Sequence, residues 1–172
     1  MSVKFGGARS VVDAFVPGMA DALATSARLG STTVLTWVPL GSGRRRVRGF
    51  DQAETLARGL GRTSGLPVRP LLKRTRETAP QARRGGSERR AALHGAFRSR
   101  GDVPATVVLV DDVLTSGATA SECARVLRAA GAREVGVVTA ARSVGGGIPA
   151  RCYTAASGPR PGSVVARETV SR

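Results

Sequence analysis

Two hydrophobic periods, one near 3.6 residues and one continuous or alternating, divide the chain into elements. From Arg9 to Leu29, the residues Val11, Val12, Phe15, Met19 and Leu23 recur at spacings of three and four, which predicts an amphipathic helix packed on a sheet. Thr32 to Leu40 (TTVLTWVPL) is apolar and β-branched and stops at Pro39 and Gly41, so it predicts a buried strand ending in a turn. Asp51 stands where it can cap a second helix, with Glu54 three positions on, and Ala53, Leu56, Ala57 and Leu60 supply that helix with an apolar face. Val68 to Leu72 predicts a short strand. Lys73 to Arg90 is too polar for a core, and its charges and Gly85-Gly86 pair predict an exposed, mobile basic loop.

The most regular stretch follows. Thr106 to Val110 is a continuous apolar strand, Thr119 to Ala130 is a helix with Cys123, Val126 and Leu127 turned inward, Gly131 closes it, and Glu134 to Thr139 is another apolar strand. Strand, helix and strand in that order make a βαβ unit, hence a parallel sheet flanked by helices. From Ser143 the composition turns to Gly, Pro, Ser and Arg. The expected organisation is therefore one α/β domain over residues 1–142 and a tail over 143–172 that adds at most one edge strand and then frays. No internal repeat is present.

At 172 residues and 41% apolar, the chain has the size and composition of one domain with an ordinary core. No run approaches the roughly 18 apolar residues of a membrane helix, and the N-terminus lacks the order of a secretory signal, so a cytoplasmic protein is expected. Two cysteines, Cys123 and Cys152, and one histidine, His94, support neither a disulfide framework nor a four-ligand zinc site within the chain. His94 stands in a charged stretch without a G-x-S-x-G nucleophile motif anywhere in the sequence, which argues against Ser-His-Asp chemistry.

Charge changes the picture more. The net charge is +15, and residues 44 to 100 hold 16 of the 27 basic and 4 of the 12 acidic residues, so this third of the chain carries +12. Such a segment attracts polyanions, either nucleic acid or phosphorylated small molecules. Lysine is nearly absent (Lys4 and Lys73 only) beside abundant Ala, Gly and Arg, which points to a genomic contribution to the arginine excess.

One segment carries recognisable chemistry. The apolar strand runs into Asp111-Asp112, and after Val113-Leu114 comes Thr115-Ser116-Gly117-Ala118-Thr119 at the opening of a helix. In open α/β sheets ligands sit beyond the carboxyl ends of the strands, where this dyad and loop must lie. Small and hydroxylic residues let backbone N–H groups close around a phosphate, and the helix N-terminus adds partial positive charge. Two carboxylates beside a phosphate need another task. Accepting hydrogen bonds from vicinal sugar hydroxyls is such a task, and a divalent ion on the same sugar would offset their charge. A response-regulator receiver also pairs acids at a strand end, but it needs a later phosphoacceptor aspartate, and none follows Asp112. The loop lacks the Gly-Lys-Ser/Thr core of a Walker A motif, and nothing matches G-x-G-x-x-G.

At these residues VVLVDDVLTSGAT resembles the thirteen-residue signature with which type I phosphoribosyltransferases bind 5-phosphoribosyl-1-pyrophosphate (PRPP). RGFDQAETLA resembles the RGFNQ-x-x-x-LA segment of the ComF family, and LKRTRETAPQ followed by HGAF resembles that family's LKR, PQ and GAF stretch. The resemblance covers about residues 3 to 142. It implies a type I phosphoribosyltransferase-like parallel sheet in which Asp111 and Asp112 hold the ribose hydroxyls and Thr115, Ser116, Gly117, Ala118 and Thr119 hold the 5′-phosphate. It also implies pyrophosphate binding at Leu40 and Gly41 with Arg48 and Arg76, and catalytic roles for Lys73 and Arg74 closing over that end. The implied cofactor is Mg²⁺, bound with PRPP rather than in a protein-only site. The chain departs from the family with Asp51 in place of Asn, Ala92 in place of Asn, and Arg84 in place of Leu. Many family members begin with a four-cysteine zinc ribbon that this sequence does not contain, which points to a ribbonless variant or a truncated gene model.

Two functions follow as expectations. The first is a magnesium-dependent transferase that moves phosphoribosyl from PRPP to a nucleobase-type acceptor not identified by any residue pattern. The second is a PRPP-sensing or DNA-uptake accessory protein that binds single-stranded DNA or a competence helicase, although six aromatic residues make a thin stacking platform. The resembled fold often pairs, which leaves a homodimer open, and no residue pattern fixes the oligomeric state.

Overall fold

The computed structural model describes residues 13–25, 32–41, 49–76, 91–142 and 151–155, with residue 142 and the last segment described as backbone. The main elements are, in chain order, α1 (Val16–Ala24), β1 (Val34–Trp37), α2 (Gln52–Ser64), β2 (Leu72–Arg74), β3 (Phe97–Ser99), β4 (Thr106–Leu114), α3 (Ala118–Ala129), β5 (Glu134–Arg142) and β6 (Arg151–Ala155). Four strands form one sheet in the order β1-β4-β5-β6. β1, β4 and β5 run parallel, and β6 closes the edge antiparallel to β5. The α/β class and the parallel sheet flanked by helices are as the apolar strands and the βαβ pattern imply.

Strand β4 shows why its sequence is continuously apolar. Val107 and Leu109 face a cluster with Cys123, Leu127 and the strands β2 and β3, while Val108 and Val110 face a second cluster with Met19, Leu23, Leu56 and Leu60. A strand covered by helices on both faces has no solvent side on which to place polar residues. Burying such side chains contributes about 1.5–3 kcal/mol each, which is why this strand fixes the centre of the sheet.

Several boundaries differ from the sequence expectation. The described part of the first helix begins at Val16 with Pro17 in its first turn, and Phe15 is its N-cap and 43% exposed, while Val16 joins Met19 and Leu23 inside. Val11 and Val12 lie outside the described residues. Val68 makes only an isolated parallel bridge to Leu35, and the strand expected to end at Leu72 instead begins there. Lys73 and Arg74, expected in a mobile loop, are the second and third residues of β2, paired antiparallel with Arg98 and Phe97. The polar composition misled because a three-residue strand needs just one inward anchor, here Leu72, and borrows its second from buried Phe97 across the hairpin. Residues 77–90 of the expected loop and the rest of the tail lie outside the described residues. Among the described residues no helix is long and apolar enough to cross a membrane.

Candidate functional site

A cleft of about 250 Å³ opens at the carboxyl ends of β1 and β4. The turn after β1 (Val38, Pro39, Leu40) forms one wall, and the first turn of α2 (Asp51, Gln52, Ala53) forms the next. Asp111, Asp112 and Val113 from the end of β4, Thr119 from α3 and Arg74 from β2 complete it. The parallel pairing of Trp37 with Val110 ends β1 just where β4 reaches its acids, so the turn and the dyad are neighbours by register.

The acids are held by backbone. Asp111 Oδ1 accepts the Asp112 N–H at 3.0 Å, and Asp112 Oδ1 accepts the Val113 N–H at 2.8 Å. Asp51 Oδ1 accepts the Glu54 N–H at 3.2 Å as the cap of α2, as its sequence position implies, and Oδ2 accepts the Leu40 N–H at 2.9 Å. Burial pushes the Asp111 carboxyl well above the usual carboxylate range, and the neighbouring charge and hydrogen bonding of Asp112 push the same way. The Asp51 charge adds to this, against the lowering effect of the Asp112 backbone N–H. Asp112 is half-buried and Val113 is 44% exposed, so the second acid and an apolar side chain border the opening.

Arg74 supplies a cation on the far side. Its guanidinium lies 5.2 Å from the centroid of the buried Phe97 ring, and its Nε donates to the Arg76 carbonyl at 3.1 Å. Both contacts hold a long side chain in one place beside the cleft. Helix α3 begins at Gly117, whose φ of 71° suits glycine, with no side-chain cap and no acid in its first turn. Thr115 and Ser116 are exposed on the loop that leads into it.

Of the residues implied by sequence, the cleft brings together Leu40, Arg74, Asp111, Asp112 and Thr119. Thr115, Ser116, Gly117 and Ala118 sit on the adjoining loop and helix start, and Gly41 is buried behind the turn. Arg48 lies outside the described residues. Arg76 is turned away, donating from its guanidinium to the His94 carbonyl at 2.6 Å. Lys73 is not at the cleft. Its position next to Arg74 on a strand sends its side chain to the other face, as strand alternation requires. There it lines a second, shallower groove of about 490 Å³ with Arg98, Arg125 and the end of α3. Asp51 and Gln52 are cleft residues that the sequence had marked as a helix start and as part of the ComF-like RGFDQ segment, without a role in the site. The signal available was the position of that helix start directly after the turn and basic stretch that follow β1.

Two further groups bear on chemistry. Glu122, 8% exposed, accepts the Gly95 N–H at 2.9 Å and two bonds from Arg125 at 2.8 Å, tying α3 to the base of the hairpin. Exposed His94 stands 3.9 Å from the same carboxylate. Cys123 is a free, fully buried thiol, and burial pushes its pKa well up, so it is no nucleophile at neutral pH.

No family model matches the chain. Competence protein F of Haemophilus influenzae is 36% identical over 111 residues, 62% of this chain and 48% of that protein. Competence protein ComFC of Streptococcus pneumoniae is 31% identical over 98 residues, 57% of this chain and 43% of its own length. DNA utilization protein YhgH of Escherichia coli K12 is 37% identical over 102 residues, 58% and 45% respectively. The ComF resemblance read from the sequence is borne out by these relatives, and the chain spans less than half the length of each. Solved structures that superpose include the glutamine PRPP amidotransferase from B. subtilis complexed with ADP and GMP, at a TM-score of 0.48 and 22% identity over 75% of this chain and 26% of that one. TT1426 from Thermus thermophilus gives 0.46 and 18% over 74% and 72%.

Proposed function

We propose that the cleft binds PRPP and that the protein transfers its phosphoribosyl group to a nitrogenous, nucleobase-type acceptor. The observation that carries this reading is the Asp111-Asp112 dyad at the end of a parallel strand, directly before the Thr115–Thr119 loop and across a cleft from the turn after β1. Asp111 and Asp112 would accept hydrogen bonds from the ribose 2′ and 3′ hydroxyls. The loop and the start of α3 would hold the 5′-phosphate, with N–H donors and partial positive charge directed at it. In the transfer, an acceptor nitrogen lone pair forms the new bond to C1′. The C1′–O bond to pyrophosphate breaks, and its electron pair leaves on that oxygen. Arg74 is the described cation placed to meet the charge that develops there.

A divalent ion suits this site. The Asp111 carboxyl is pushed up by burial and by acidic neighbours, and a cation nearby would favour its ionised form. Asp111 and Asp112 are the residues that would face such an ion through the sugar hydroxyls, and when bound it would neutralise charge on the pyrophosphate.

Calorimetric titration of PRPP with magnesium into the wild type and into Asp111→Asn/Asp112→Asn tests the reading. Micromolar-range binding that vanishes in a folded double variant supports it. A folded wild type that takes up no PRPP overturns it.

A second reading has its own observation. Lys73 and Arg98 pair across the hairpin and line the second groove, beside the end of α3. The described hairpin and its flanks, residues 71–76 and 91–100, carry no acidic residue. This face fits a phosphodiester backbone, and the relatives named for competence and DNA utilization make single-stranded DNA the polyanion to try first. Binding that is steeply weakened by salt supports it, and binding indifferent to salt removes it.

A further inference from the structure

Asp51 does more than begin a helix. The residue is 6% exposed, and each of its two carboxylate oxygens accepts a backbone N–H from a different element: Glu54 in the first turn of α2, and Leu40 in the turn that follows β1. One carboxylate thus fastens the turn to the helix, eleven positions apart in sequence. Leu40 and Asp51 both line the cleft beside Asp111. We propose that Asp51 is a positioning residue of the cleft, presetting the turn of Val38, Pro39 and Leu40 against which the diphosphate end of the ligand is placed. This rests on the reading of the cleft as a PRPP site.

In this chain a carboxylate, standing where the ComF pattern has asparagine, meets both N–H donors. Two N–H donors converge on one side chain, and aspartate offers an acceptor oxygen to each. Asparagine offers one acceptor and one NH₂, so one of the two N–H groups would be left facing a donor. Capping alone does not account for the choice, because serine, threonine and asparagine cap equally well. A third negative charge in the cleft opposes an anionic ligand and helps to push the Asp111 carboxyl up. The hold on Leu40 is the contact that only aspartate, among the common caps, makes together with the cap itself.

The variant Asp51→Ser separates the two roles, since serine caps a helix but is too short to reach Leu40 as well. Amide exchange at Leu40 and along α2, followed by NMR, reads the fastening without any ligand. Calorimetry with magnesium and PRPP reads its consequence. The expected result is a thermal midpoint modestly below that of the wild type, faster exchange at Leu40 with α2 unchanged, and PRPP affinity lowered about tenfold or more, the scale of loss that a misplaced binding element produces. Loss of a negative charge would by itself strengthen anion binding, so the direction of the change isolates the geometric role. Affinity equal to or above that of the wild type overturns the proposal, as does unchanged exchange at Leu40. Should the serine variant not fold, Asp51→Asn removes the same charge and one of the two bonds, and its affinity is read in the same way. A wild type that binds no PRPP sinks the reading of the cleft and the ligand half of this proposal with it, while the exchange data still decide whether Asp51 holds the turn.

Discussion

Asp111 and Glu122 are buried acids with opposite relations to the fold. Burial and neighbouring carboxyls raise the Asp111 pKa above its unfolded value of 3.8, so folding takes up a proton there. The native state therefore loses stability as pH rises from the ordinary aspartate range through the raised value. Asp111→Asn removes that cost, and it is expected to raise Tm by about 2–4 °C at neutral pH, the shift that about 1 kcal/mol produces in a domain of this size. The gain should fade as pH falls from the raised value toward 3.8 and be absent below it, and PRPP should no longer protect the variant. Thermal melts across pH with and without the ligand check both parts, and a variant less stable at every pH contradicts them. Glu122 has the reverse sign. The Arg125 hydrogen bonds, set against burial and helped by the Gly95 N–H, hold its carboxyl below the ordinary 4.5. Its contribution is present above that value and disappears as pH falls through the lowered one.

Helix α2 is the element on which the wall of the cleft depends, and two glycines let it lie close to its neighbours. A Cβ on Gly59 would stand 2.7 Å from Val16 Cγ2, and one on Gly61 would collide with Val68 Cγ2 and stand 3.0 Å from the Leu66 carbonyl. Alanine would gain about 1 kcal/mol of helix propensity at position 61, but overpacking against backbone costs about 1–3 kcal/mol. Gly61→Ala should accordingly lower stability in urea unfolding, by up to about 2 kcal/mol. A neutral or stabilising effect would mean that the 66–68 segment gives way freely. The elements that could be read from sequence were those whose burial imposes a pattern. β4 is apolar throughout because both faces are covered, and α3 shows its stripe because one face is. The hairpin left no such trace: β2 and β3 have three residues each, and their partners lie far apart in the chain. Phe15 matched the helical spacing, yet spacing alone does not say on which turn a helix starts. In the cleft, the dyad and its loop were legible because they are contiguous. Asp51 was legible as a cap but not as a wall of the cleft, since that role depends on a turn folded back to within 2.9 Å of it.

At the scale of the described molecule, charge is not spread evenly between the cleft and the groove. The cleft gathers Asp51, Asp111 and Asp112 around Arg74, whereas the groove presents Lys73 and Arg98, with Arg125 at its edge paired to Glu122. If the groove holds a single-stranded phosphate backbone, Lys73→Glu/Arg98→Glu should weaken that binding. It should also flatten the dependence of log K on log salt by about 0.7 for each phosphate that is no longer neutralised. PRPP affinity should be unchanged, because neither residue borders the cleft. Fluorescence anisotropy with labelled oligonucleotides over a salt series, beside calorimetry with PRPP, checks both. An unaltered slope would place the DNA-binding surface elsewhere.

Strand β2 sends Arg74 into the cleft and Lys73 into the groove from adjacent positions, so two surfaces share three residues of backbone. Ligands that meet across so short a partition are bound by thermodynamic reciprocity. Whatever factor a polyanion on one side adds to affinity on the other, the sugar phosphate must return unchanged. A single titration of one ligand at saturation of the other would then measure the coupling between the two surfaces, in both directions at once.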